Sequence, residues 1–139
     1  MWVILLLACL CLWVLLTQVK EDPVMAEIRR RYKILRENIP DKYSVLRRQA
    51  IVIGYHKTSG IDLGLNVNKG YEIHLCLGDK DPNTVFHVLL HELAHSTLPE
   101  LDHTPAFWKN MDEIVTLAVS LGIYTRITKS AFCGQTVTD

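Results

Sequence analysis

Two histidines and a glutamate interrupt an otherwise apolar run, Val88-Leu89-Leu90-His91-Glu92-Leu93-Ala94-His95. With Val85 and Phe86 just before it, this segment is apolar on nearly every face, which in a helix means burial. A carboxylate and two imidazoles in so apolar a helix each need a partner. His91 and His95 stand four residues apart, one helical turn, so both rings leave the same face and can reach one metal ion. Glu92 sits beside the first of them, where a carboxylate can take a proton from water activated by such a metal. Asp81-Pro82 supplies an N-cap and a proline at the first helical position, so a helix is predicted from about 82 to 97.

A catalytic zinc takes three protein ligands and keeps one position open. His103 follows His95 by eight residues, after a loop containing Pro99, and stands directly before a second cap-plus-proline start, Thr104-Pro105. Asp102 and Glu100 are rival third ligands, and His103 is favoured because imidazole is frequent in that role. A metzincin spacing would place its glycine at Leu98 and its third histidine at Leu101, so that subclass is excluded.

Around this segment the chain reads as helix, strands, helix, helix, an α+β order. Met25, Ile28, Tyr32, Leu35 and Ile39 recur at spacings of three and four between Asp22-Pro23 and Pro40, the pattern of an amphipathic helix. A short β-rich run covers 50–55, and two more, 61–67 and 71–77, flank Asn68-Lys69-Gly70 as a hairpin. In the second of these, Tyr71, Ile73, Leu75 and Leu77 point one way and Glu72, His74 and Cys76 the other. The strand 71–77 is the expected edge for holding a substrate backbone in extended form. Thr104-Pro105 opens a last helix to about 121, ended by Gly122.

Residues 1–19 carry no charge, and only Thr17 and Gln18 among them are not apolar. A 19-residue helix is roughly 28 Å long, close to the ~30 Å hydrocarbon core of a bilayer. The expected organisation is therefore a transmembrane anchor over 1–19 and one domain over 20–139. The alternative, a cleaved signal peptide on a secreted protein, would want a basic start and a small-residue cleavage site, and neither is present. Residues 20–48 hold nine basic residues (Lys20, Arg29, Arg30, Arg31, Lys33, Arg36, Lys42, Arg47, Arg48) against five acidic ones, whereas 49–139 hold more acid than base. Positive charge beside a membrane segment tends to stay cytoplasmic, so a single-pass protein with a cytosolic domain is expected. The basic stretch is then a second contact for anionic headgroups, or else a solvated helix face. A formal net charge of zero excludes a strongly basic nucleic-acid binder and an acidic disordered tail.

His91-Glu-Leu-Ala-His95, followed by His103-Thr-Pro-Ala-Phe107-Trp108, resembles the WLM/SprT-like group of zinc peptidases, with its HELAH, short loop and His-Ser/Thr-x-x-Phe-Trp. The strand Ile73-His74-Leu75-Cys76-Leu77 ahead of the helix is similar to members encoded by large DNA viruses. The resemblance implies a minimal zincin-like fold, a small twisted sheet with the metal helix packed beneath it. It implies His91, His95 and His103 as ligands of Zn²⁺ and Glu92 as general base. The loop before His103 is longer than is usual in WLM members, while SprT-type members place this histidine further on. Many of these proteins act on proteins crosslinked to DNA through extra modules; no such module is expected here, and no nucleic-acid partner.

His87, one turn before His91, is read as a core-edge or supporting residue, since three ligands and a water complete a site. His74 is a solvated strand position and His56 carries no signal. Phe107 and Trp108 are expected in the core, fixing the His103 loop. Tyr124 is a candidate to polarise a substrate carbonyl, and Asp112 or Glu113 to orient a ligand histidine. Cys9 and Cys11 read as small apolar residues, and Cys76 and Cys133 as free thiols in a cytosolic domain. Together these residues predict a membrane-anchored zinc peptidase acting on a protein or peptide. The alternative is a zinc-stabilised binding module without turnover.

Overall fold

The structure, a computed structural model, describes residues 1–17, 21–56, 64–77, 81–128, 130–133 and 135–137. Helix α1 (Trp2–Leu16) is apolar all round and buries no residue. It closes at Thr17, whose N–H and hydroxyl both donate to the Trp13 carbonyl, at 2.8 and 2.7 Å. Its 15 residues extend about 22 Å. The expected 19-residue span is thereby corrected: no helix among the described residues is long and apolar enough to cross a membrane. Residues 18–20, the rest of that expected span and the first residue of the basic stretch, lie outside the described residues.

Helix α2 (Pro23–Glu37) starts as its sequence dictates, with the Asp22 carboxylate accepting from the Val24 N–H at 2.9 Å. Val24, Met25, Ile28, Tyr32 and Leu35 form its buried stripe. Its arginines are engaged within the domain. Glu27 accepts from Arg30 and from Arg31, and these two guanidinium groups hold its carboxyl down at about 2. Arg31 also donates to the Ile123 carbonyl and Arg29 to that of Val52. Further along, Arg47 pairs with Asp41 and Lys42 with Glu113. Much of the basic stretch thus ties α2 and the 3-10 segment Asp41–Arg47 to their neighbours.

Strands β1 (Ile51–Tyr55), β2 (Gly64–Val67) and β3 (Glu72–Cys76) form one sheet in the order β1-β3-β2. β1 runs parallel to β3, with Val52 opposite Ile73, and β2 runs antiparallel, with Gly64 opposite Leu75. The predicted hairpin is present, turning through Asn68, Lys69 and Gly70, all with positive φ. Residues 61–63 of its predicted first strand lie outside the described residues. The expected role of 71–77 as an edge is corrected, because β3 is the middle strand. A distant segment pairs on its other side, which no local pattern reveals; among the described residues β2 is the edge beside α3.

The alternation in β3 puts Ile73 and Leu75 wholly in the core. Helix α3 (Pro82–His95) packs on that inner face through Val85, Phe86, Leu89, Leu90 and Leu93. Helix α4 (Pro105–Ser120) lies against α3 with Phe107, Met111, Ile114, Val115 and Ala118 buried. A second hairpin, β4 (Ser130–Phe132) and β5 (Gln135–Val137), was not foreseen in the sequence. Cys133 follows β4 and is bonded to Cys76, 57 residues away. The expectation of two free thiols is therefore wrong. Cys76 alternates with Leu75 and so leaves the outer face of the sheet, where the returning C-terminal segment meets it.

Candidate metal centre

The last turn of α3 delivers His91 and His95, and the residue just ahead of the α4 N-cap delivers His103. Thr104 accepts from the Phe107 N–H, which fixes where α4 begins and therefore where His103 stands. The three rings meet at their Nε2 atoms: His103 lies 2.9 Å from His91 and 3.2 Å from His95. These ligand atoms all fall within 4.8 Å of one another, and they form the metal-capable cluster among the described residues. Nitrogens bonded to one tetrahedral zinc at ~2.0–2.1 Å stand about 3.3 Å apart, so the three imidazoles fit that ion. Asp102 and Glu100, the rival ligands, are exposed and outside the cluster.

Phe107 is the floor of this site, fully buried, its ring centroid 5.0, 4.5 and 4.8 Å from those of His91, His95 and His103. Trp108 departs from expectation. It stacks on His103 at 5.5 Å, but it is 51% exposed and lines the mouth rather than the core. Burial against Phe107 pushes the His91 ring down to about 3, helped by the neighbouring His95, His103 and His87. Burial also lowers His95, with His103 and Lys69 adding to it. Both rings are consequently neutral near pH 7, with the lone pairs a metal ion requires.

Glu92 leaves the helix beside His91 and is only 8% exposed. Its carboxylate faces the first residue of β2: a Cβ placed on Gly64 would lie 2.8 Å from Glu92 Oε1 and 2.7 Å from Val88 Cγ1. Asn66, two residues along the same strand, donates its amide to the Glu92 carbonyl at 2.7 Å and to Ser96 Oγ at 2.7 Å. The edge strand thus runs directly along the helix turn that carries the site. Neither Gly64 nor Asn66 stood out in the sequence. An asparagine between Leu65 and Val67 was the available signal, and a polar residue in so short a strand reads equally as solvated.

The remaining candidates fall elsewhere. His87 is buried, its Nδ1 3.0 Å from the Tyr124 hydroxyl, which agrees with a supporting place in the core. Tyr124 is itself buried, and its hydroxyl contacts His87, one turn before His91. Asp112 pairs with Arg126, and Glu113 with Lys42 and Tyr43, so neither orients a ligand histidine. They point away because α4 turns its Phe107–Met111–Ile114 stripe, not this face, toward α3. His74 contacts Glu72 on the outer sheet face, and His56 is exposed.

A family model described as the WLM domain matches residues 13–138. The chain belongs to the WLM family. This WLM domain is 39% identical over 83 residues to uncharacterized protein R325 of Acanthamoeba polyphaga mimivirus, covering 52% of this chain and 42% of that protein. It is also 39% identical over 61 residues to uncharacterized protein 136R of invertebrate iridescent virus 6, covering 38% of this chain and 34% of the relative. The chain thus spans less than half the length of these viral relatives. Among solved structures, Wss1 from Saccharomyces cerevisiae shares the fold, with a TM-score of 0.55 over 71% of this chain and 77% of that one, at 21% identity.

Proposed function

We propose that this WLM domain is a zinc-dependent peptidase. One observation carries the reading: three imidazoles converge at about 3 Å while a carboxylate stands on the same helix turn. When bound, zinc would polarise a substrate carbonyl and make water nucleophilic at neutral pH. His91, His95 and His103 would hold it. Glu92 would accept a proton from the attacking water and pass it to the leaving amine. A non-catalytic zinc module accounts for the histidines but leaves Glu92 without a task.

Edge strand β2 is our candidate for substrate binding, since an extended peptide can add to the side that no described strand pairs. It runs past Glu92, so a peptide paired there lies across the site. Gly64 keeps space for the carboxylate. Gly64→Ala is expected to lower hydrolysis by up to roughly 10²-fold with zinc content unchanged; a variant cutting at the wild-type rate would remove Gly64 from this role.

The decisive experiment is metal analysis of the purified chain together with cleavage profiling on a peptide library. One zinc per chain and hydrolysis that stops on chelation are expected. Zinc bound without any cleavage would favour the binding module, and absence of zinc would sink both.

We also read α1 as the lipid-contacting part of the chain, because this apolar helix buries none of its side chains against the described residues. Co-flotation with vesicles, lost on deleting residues 1–17, tests this. The Cys76–Cys133 bond favours a domain facing an oxidising compartment over a cytosolic one. The arginine pairs within α2 weaken the charge argument for the cytosolic side. Labelling of unfolded protein with a thiol reagent, straight from its host, distinguishes the two.

A further inference from the structure

We propose that Lys69 is a positioning residue for the third imidazole, bracing the loop that carries His103. The proposal rests on the metal reading of the site. His103 depends on the segment 96–102, whose second half is exposed; Leu101 is 77% exposed. A histidine on such a loop reaches His91 and His95 only if the backbone between them is held.

The β2–β3 hairpin does this holding. Lys69 Nζ donates to the Leu98 carbonyl at 3.1 Å and to the Glu100 carbonyl at 3.3 Å. One ammonium thereby gathers two carbonyls on either side of Pro99, and its positive charge strengthens both bonds. The lysine is itself fixed in place. Asn68 and Lys69 have φ of 52° and 54°, a left-handed conformation that side-chain-bearing residues rarely adopt. Asn66 Oδ1 accepts from the Gly70 N–H at 2.6 Å, and Arg48 donates to the Lys69 carbonyl. Gly70 is required where it stands, since a Cβ there would lie 2.6 Å from Ser96 Oγ. Asn66 ties the start of the loop, through Ser96 Oγ, to the same hairpin that ties its middle. The hairpin turn, the Leu98–Glu100 backbone and His103 thus form one mechanical chain.

The test compares Lys69→Met, Lys69→Arg and wild type in the full chain, with zinc affinity read by competition against a chromophoric chelator. Lys69→Met is expected to weaken zinc binding about tenfold or more, as loss of a supporting contact around a metal site typically does. Lys69→Arg, which keeps the charge and donors, should remain within about threefold. In a His103→Ala background, Lys69→Met should change the affinity less than twofold, because the lysine acts through that ring. An affinity for Lys69→Met within twofold of wild type, or the same loss in the His103→Ala background, overturns the proposal. A second measurement needs no metal: in the metal-free chain a glutamate-specific protease should cut after Glu100 several times faster in Lys69→Met. Equal rates overturn the brace as well. A wild type that binds zinc with Lys69-dependent affinity yet cleaves no peptide defeats the peptidase reading and leaves the brace standing.

Discussion

Glu92→Gln is expected to lower peptide hydrolysis by roughly 10²–10⁴-fold, the usual contribution of a general base, while one zinc per chain is retained. The two halves of this result separate a chemical role from a structural one. Glutamine has the same length and shape, so it fits the space left by Gly64 beside Val88. The contacts that hold the helix turn run from Asn66 to the Glu92 backbone carbonyl, which the substitution leaves intact. What disappears is an oxygen able to accept a proton, a loss of about 3–5 kcal/mol in transition-state stabilisation. The matched control is His103→Ala, which should lose zinc affinity first and hydrolysis as a consequence. Metal content and initial rates on the same preparations decide the matter. A Glu92→Gln protein that cleaves like wild type, or that loses its zinc, would contradict the assigned role.

The second large effect concerns the cross-link. Reducing Cys76–Cys133 is expected to destabilise the domain by about 4 kcal/mol, the loop-closure entropy of a bridge spanning 57 residues. For a domain of this size that is a fall in melting temperature of roughly 15 °C. Reduction is a cleaner probe than substitution, because Cys76 is fully buried and truncating it would add a packing loss. Cys9 and Cys11 are free. The oxidised chain should therefore show two reactive thiols when unfolded, and the reduced chain all four cysteines. Urea melts with and without reductant give the stability difference. Four thiols in the oxidised protein, or coincident melts, would show that the bridge does not form or does not stabilise.

The family-model match over residues 13–138 places the chain in its family, yet the properties proposed above depend on particular side chains. Position 64 illustrates this. A glycine at the start of a short strand looks like ordinary turn punctuation, and its neighbourhood explains it only once Glu92 is seen against it. Lys69 is similar. In the sequence it is the middle of a hairpin turn, and in the fold its ammonium reaches across to a loop about thirty residues further on.

The cap-plus-proline pairs Asp22-Pro23, Asp81-Pro82 and Thr104-Pro105 placed three helix starts correctly, because capping is settled within four residues. The four-residue spacing of His91 and His95 put two candidate ligands on one face for the same reason, since helical geometry is local. The hairpin turn at 68–70 was likewise legible. Long-range placement was not. That β3 lies between β1 and β2, that Cys76 meets Cys133, and that Tyr124 closes on His87 all follow from packing between segments 20 to 60 residues apart. His103 belongs to both kinds: its residue type and its place before Thr104 marked it as a candidate ligand, while its approach to 2.9 Å from His91 came only with the docking of α4 on α3. Short-range steric and hydrogen-bonding rules are written in adjacent residues. Convergence of distant groups is decided by which apolar faces bury together, and this the tertiary structure alone determined.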